Sequence, residues 1–344
     1  MSLAETTASV NGAFDSIPII DIGHASTHEE RAALARQIRD ACMNVGFFYI
    51  RNHGIPEETI DEVLSAMKTF FSLPLEMKMK LYHRQSVHVR GYEPLLDSNV
   101  DPANRGDLYE SFVIGGEELV PKEYDDEKVH DDSMLIKNLW PSEPAGFREA
   151  FLSYCHAALS VGKVLHRLFA LALDLPETSF DDKLQHCQIM RGLHYPPQTG
   201  PEDDRIIGFG AHSDFQCFTI LWQEPGIQAL QVLNSEKKWI NATPIPGTLV
   251  INIGDLLSRW TNNIFRSTVH RVINRSGVCR YSIPLFFGLD THVEVEPLSS
   301  CVSSERPAKY ERISSGEYVQ KLMQEMYRRS FTASDDAARH DDGR

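Results

Sequence analysis

A chain of 344 residues, 42% hydrophobic and 24% charged, has the composition of a globular protein able to bury a substantial core. Its formal net charge of -14 argues against a broad phosphate-binding surface, and so against nucleic acid as a partner. No apolar run approaches a membrane span, Met1 to Phe14 lack a signal-peptide pattern, and six scattered cysteines include no Cys-x-x-Cys, so a cytoplasmic protein with reduced thiols is expected.

Residues 1–16 are small and polar and are expected to be disordered. Thr27 and Glu30 form a capping-box pattern ahead of a helix whose apolar face is Leu34, Ile38, Ala41, Cys42 and Val45. Phe47 to Ile50 reads as a buried strand. Pro56 then suits a first helical turn, followed by Ile60, Val63, Leu64, Met67, Phe70 and Phe71 at helical spacing. Residues 84–142 are polar and glycine-bearing and read as loops with short strands. A long helix is expected over 143–173, with Phe151, Cys155, Ala158, Val161, Leu165, Phe169 and Ala172 on one side. From Leu184 the texture changes to short strands: Gln188–Tyr195, Phe218–Gln223, Ala229–Leu233, Thr248–Ile253, Ser267–Ile273 and Arg280–Phe287. Many short strands punctuated by glycines predict a sandwich or barrel. A helix follows Gly316, and 332–344 is expected to be disordered.

Within the strand-rich half, Gly210-Ala211-His212-Ser213-Asp214 carries a His-x-Asp, and His270 lies further on. In a strand, residues i and i+2 point to one side, so His212 and Asp214 can reach one ion, with His270 supplied by another strand. Two histidines and one carboxylate on one face of an octahedron leave the other face open. A bare His-x-Asp is common, and the chain has 14 histidines, so two surface residues at a strand end would explain it equally. Arg280 and Ser282 add weight: they share a strand face ten residues after His270, and an arginine fork beside a hydroxyl suits a carboxylate. Alone, that pair reads as a surface salt bridge.

Together, Gly210 to Leu289 resembles the core of iron(II), 2-oxoglutarate-dependent dioxygenases of the isopenicillin N synthase-like type. Three amino-terminal pieces fit the same family: Ile17-Pro18-Ile19-Ile20-Asp21, Gly46-Phe47-Phe48-Tyr49-Ile50 and Asn52-His53-Gly54-Ile55-Pro56. The resemblance implies a mainly β fold with flanking helices around a double-stranded β-helix, or jelly-roll, core. It divides the chain into an amino-terminal mixed α/β region over 17–183, including the long helix, and a jelly-roll core over 184–325. It assigns His212, Asp214 and His270 to Fe(II), and Arg280, Ser282 and Tyr195 to 2-oxoglutarate. Many relatives carry asparagine where this chain has Leu193. Asn252, Gly254 and Asp255 match family positions and are expected to serve a turn; His53 matches too and is expected to be structural.

Two further residues come from strand alternation. Arg191 should share the face of Tyr195, where it would bind an acidic or phenolic substrate group or pair with a nearby carboxylate. Phe286 should share the face of Arg280 if the strand runs unbroken past Pro284, where it would stack on a substrate ring or pack in the core. The implied activity is oxidation of a C–H bond of a small organic molecule of secondary metabolism, using O2 and releasing succinate and CO2. A nucleic-acid demethylase is disfavoured by the acidic balance, and three alternatives stay open. Catalytic zinc also takes two histidines and a carboxylate. Same-fold oxidases keep the arginine-x-serine pair without using 2-oxoglutarate. A silent binding protein could keep the fold.

Overall fold

The computed structural model describes residues 13–23, 26–86, 89–100, 106–117, 137–185, 187–198 and 208–324. In chain order the amino-terminal half contains β1 (Ile19–Asp21), α1 (His28–Asn44), β2 (Phe47–Arg51), α2 (Glu57–Phe71), α3 (Leu75–Met79), β3 (Gly91–Glu93), β4 (Glu110–Gly115) and α4 (Phe147–Ala172). The carboxy-terminal half adds β5 (Gln188–Tyr195), β6 (Phe209–His212), β7 (Phe218–Gln223), β8 (Leu230–Leu233), β9 (Trp239–Asn241) and β10 (Thr248–Ile253). It continues with α5 (Asp255–Trp260), β11 (His270–Val272), β12 (Arg280–Phe287), β13 (Glu294–Val295) and β14 (Ile313–Ser314). A final helix begins at 315 and continues to 324, where the described residues end. Residues 1–12 and 332–344 lie outside the described residues. Within 13–16, the Phe14 carbonyl accepts a hydrogen bond from the Asn234 side chain, which ties this segment to the body.

An eight-stranded sheet runs β1-β2-β10-β7-β12-β5-β4-β3 and faces a four-stranded sheet, β6-β11-β8-β9. Strands from both sides of residue 184 share the larger sheet. The 84–142 region contributes β3 and the fully buried β4 to its edge; residues 101–105 and 118–136 of that region lie outside the described residues.

Strand alternation explains the two cores. From β7, β10 and β12, the residues Phe218, Ile220, Trp222, Leu249, Ile251, Ile253, Ile283, Leu285 and Phe287 face α1, α2 and α4. Their neighbours along each strand face the smaller sheet and join Phe47, Tyr49, Leu193, Tyr195, Leu230, Val232 and Val272. Helix α1 starts where its sequence signals: the Thr27 hydroxyl accepts from the Glu30 amide, and Glu30 accepts from the Thr27 amide. Gly162 marks the closest approach of α4 to the sheet, since a Cβ there would lie 1.8 Å from the Phe287 ring. Pro284 sits mid-sheet and lacks an N–H, so β12 and β5 are unpaired between Ser282↔Leu193 and Leu285↔Met190, yet the register holds on both sides. Among the described residues no helix is long and apolar enough to cross a membrane.

Candidate active site

A cavity open to solvent lies between the facing sides of the two sheets. His212, Asp214, His270, Arg280, Ser282, Tyr195 and Phe286 all line it. Sheet pairing brings the distant histidines together. His270 of β11 is the register partner of His212 of β6, so side chains far apart in sequence face one point. The strand expectation for the His-x-Asp needs a correction. Strand β6 ends at His212, and Asp214 lies in the following turn, where its carbonyl accepts from the Asp255 amide at 2.7 Å. That turn passes close to Gly254, where a Cβ would lie 2.0 Å from the Gln216 carbonyl oxygen. Asp255 also accepts from the Ser213 hydroxyl, so Gly254 and Asp255 do build the turn.

Hydrogen bonds orient each member of the triad. His212 Nδ1 lies 2.7 Å from the Gly210 carbonyl, and His270 Nδ1 lies 3.1 Å from the Thr268 carbonyl. A carbonyl only accepts, so both Nδ1 atoms carry the proton and both Nε2 lone pairs are directed inward. They stand 3.6 and 3.7 Å from Asp214 Oδ1, too far for good hydrogen bonds and close enough to share an ion. The other oxygen, Oδ2, accepts from Thr219 Oγ1 and from Asn252 Nδ2 at 2.7 Å. Thr219 and Asn252 are themselves register partners across β7 and β10. The Asn252 side chain therefore orients the carboxylate instead of serving only the turn. Burial would raise the Asp214 pKa, but the two imidazoles outweigh it and hold the carboxyl well below its usual range. Burial pushes His270 down to about 4. It would lower His212 as well, but the neighbouring Asp214 carboxylate and the Gly210 carbonyl outweigh it and raise that pKa. This donor set, two neutral nitrogens and a carboxylate oxygen with every outer atom satisfied, fits a divalent metal.

At the other end of the cavity Arg280 is 1% exposed. Its Nη1 donates to Ser282 Oγ at 3.3 Å and its Nη2 to Gln223 Oε1 at 3.1 Å, while Nε has no partner. Its guanidinium carbon lies 4.9 Å from the ring centre of Tyr195, its register partner on β5. Among the described residues none of its hydrogen bonds is to a carboxylate, and burial lowers its pKa. A buried cation held only by neutral groups is costly unless an anion completes it. The surface salt bridge considered for this pair does not form.

Arg191 is placed differently. It shares the inner face of β5 but donates to Glu93 Oε2 at 2.8 Å, and Glu93 is itself buried. Of the two readings of Arg191, a site for an acidic or phenolic substrate group and a partner for a nearby carboxylate, the contacts favour the second: Glu93 holds the guanidinium, and Arg191 is not among the residues lining the cavity. Phe286 does line the cavity, because β12 runs unbroken past Pro284. His194 turns to the opposite face, stacks on Tyr281 with ring centres 4.9 Å apart and bonds Glu110. His53 accepts from the Ile55 amide in its turn.

Sequence reasoning missed Thr219 and Gln223. Both break the apolar run of β7 on the face of Leu221, which was a readable signal.

Comparison with known proteins decides the family. Residues 17–143 match the model of the non-haem dioxygenase in morphine synthesis N-terminal family, and residues 185–289 match the 2OG-Fe(II) oxygenase superfamily. The 2-oxoglutarate-Fe(II) type oxidoreductase ppzC of Metarhizium rileyi is 36% identical over 328 residues, covering 90% of this chain and 87% of that protein. The chain belongs to the 2OG-Fe(II) oxygenase superfamily. Homoarginine-6-hydroxylase 2-ODD-233 of Oryza sativa is 33% identical over 330 residues, covering 90% of this oxygenase and 97% of its own length. The crystal structure of Neurospora crassa T7H in complex with alpha-KG matches with a TM-score of 0.79 at 28% identity, covering 90% of this chain and 96% of that one. The protein is an oxygenase that uses Fe(II) and 2-oxoglutarate, with O2 as the usual co-substrate, to oxidise small molecules.

Proposed function

We propose that His212, Asp214 and His270 hold the Fe(II), and that Arg280, Ser282 and Tyr195 receive the distal carboxylate of 2-oxoglutarate. The observation that carries this is the cavity's two ends. Two Nε2 atoms meet one carboxylate oxygen on one side, and on the other stands a buried arginine that hydrogen-bonds no carboxylate among the described residues. When bound, the iron supplies the oxygen activation that splits 2-oxoglutarate to succinate and CO2 and oxidises a substrate C–H bond.

The chain's own groups do the rest. Gly210 and Thr268 carbonyls accept from both Nδ1 atoms and leave Nε2 as the ligating nitrogen of each imidazole. Thr219 and Asn252 turn one oxygen of Asp214 inward by holding the other. Gln223 and Ser282 fix the fork of Arg280 in the wall of the cavity. Leu193 and Leu221 give the cavity wall an apolar surface.

The substrate reading is a small organic molecule of secondary metabolism, met by the ring of Phe286 on the cavity wall. The relatives act on small molecules by their names, homoarginine in one case, and a Neurospora crassa T7H structure holds thymine. A net charge of -14 supports this over a nucleic-acid substrate, and the amino-terminal match supports the isopenicillin N synthase-like branch.

The test is anaerobic titration of metal-free protein with Fe(II), then 2-oxoglutarate, followed by visible absorption. A charge-transfer band that is absent in Arg280→Ala and in His212→Ala is expected. A band of full strength in either variant would overturn the assignment of that residue.

A further inference from the structure

Asp107 is a buried carboxylate that no role described so far uses. It is 0% exposed, and among the described residues no lysine or arginine pairs with it. Three donors satisfy it instead. The Gly210 amide reaches Oδ1 at 2.8 Å; the Val100 amide and the Ser98 hydroxyl reach Oδ2 at 3.1 and 3.2 Å. The last two are local ties within one loop. The first crosses from that loop to β6, over 103 residues of sequence.

Gly210 is the residue whose carbonyl accepts from His212 Nδ1. A second contact from the same segment acts on the same imidazole. The ring of Phe209 stacks on His212 at 4.2 Å between centres and 25° between planes, and the Tyr109 ring backs Phe209 at 4.9 Å. The carbonyl that sets the tautomer of His212 and the ring that sets its plane therefore both rest on residues 107–109. The other triad members are backed elsewhere: His270 by Thr268 and the edge of Phe47, and Asp214 by Thr219 and Asn252.

We propose that Asp107 is a positioning residue for His212, holding Gly210 so that its carbonyl stays aimed at Nδ1 and Nε2 stays aimed at the metal site. This rests on His212 being an iron ligand. A carboxylate is suited to the task because a charged acceptor grips an amide more strongly than a neutral one and can serve both sides of the loop at once. A structural tie alone would lower stability and leave metal affinity untouched. A positioning role moves metal affinity, since outer partners of ligating histidines are worth roughly 10–100-fold in binding.

The experiment is anaerobic Fe(II) titration of metal-free wild type, Asp107→Asn and His212→Ala, with a thermal melt of each. Asp107→Asn keeps the shape but replaces the charged acceptor by a neutral one and turns an amide N–H₂ either to the Gly210 amide or to the Val100 amide and Ser98 hydroxyl. Its Fe(II) Kd is expected to rise about 10–100-fold at a temperature where the melt shows it folded. A folded Asp107→Asn with wild-type Kd overturns the proposal. Wild-type affinity in His212→Ala would instead overturn the ligand assignment beneath it. If Asp107→Asn does not fold, Ser98→Ala, which removes one donor from the same carboxylate, is read in the same titration: a Kd raised a few-fold supports the proposal and an unchanged Kd overturns it.

Discussion

The two faces of the large sheet are built from the same strands and have opposite chemistry. Along β12, Tyr281, Ile283, Leu285 and Phe287 turn to the helices, while Arg280, Ser282, Pro284 and Phe286 turn to the cavity. The helix face is dry and close-packed: Phe287 stacks on Phe218 at 4.6 Å and lies under Gly162. The cavity face buries Thr219, Gln223, Asn252, Arg280 and Ser282, polar groups that lower stability unless each finds a partner. A sheet can carry such a face because its other face supplies the apolar burial. Stability and function are thus separated by one residue along a strand, and substitutions at adjacent positions should separate them too.

The largest effect is expected from His212→Ala or Asp214→Ala, on the cavity side. Either should abolish turnover while the circular dichroism spectrum and cooperative melt survive; retained turnover would break the division between faces. Phe287→Ala, one step along from Phe286, should do the reverse. Deleting a buried ring that fills the gap under Gly162 costs about 3–5 kcal/mol, read as a lower urea midpoint, with the Fe(II) affinity of the folded fraction unchanged.

Arg280→Ala should weaken 2-oxoglutarate by roughly 10–100-fold, the worth of hydrogen bonds to a charged group, with little change in Fe(II) affinity. Calorimetric titration of both ligands checks this. Fe(II) affinity itself should fall as pH is lowered. Asp214 raises the pKa of His212, so that imidazole takes up its proton at a higher pH than a free histidine, and the metal must displace it. Affinity is therefore full above that pKa and falls by up to about tenfold per pH unit below it; a flat profile between pH 8 and 6 would contradict the ligand assignment. The smallest effect is expected at Phe286→Leu, a few-fold rise in the KM of the substrate with KM for 2-oxoglutarate held.

Some of this site was legible before the fold. The boundaries expected for Gln188–Tyr195, Phe218–Gln223, Thr248–Ile253 and Arg280–Phe287 coincide with β5, β7, β10 and β12, because β-branched and aromatic runs between turn residues have few other solutions. Alternation then put Arg280, Ser282 and Phe286 on one face correctly. It also put Arg191 on the face of Tyr195, but it could not show that Glu93, 98 residues earlier, would claim the guanidinium.

The sequence by itself determined which residue types sit on which strand face, and through the His-x-Asp and arginine-x-serine spacing it determined the family. Only the tertiary structure decided which strands lie side by side. That choice set His270 opposite His212, Thr219 opposite Asn252 beneath Asp214, and Asp107 against Gly210. The reason is physical: periodicity is a property of one strand and is written locally. A hydrogen-bond partner depends on the register between strands distant in the chain, and that register is settled by how the whole sheet packs.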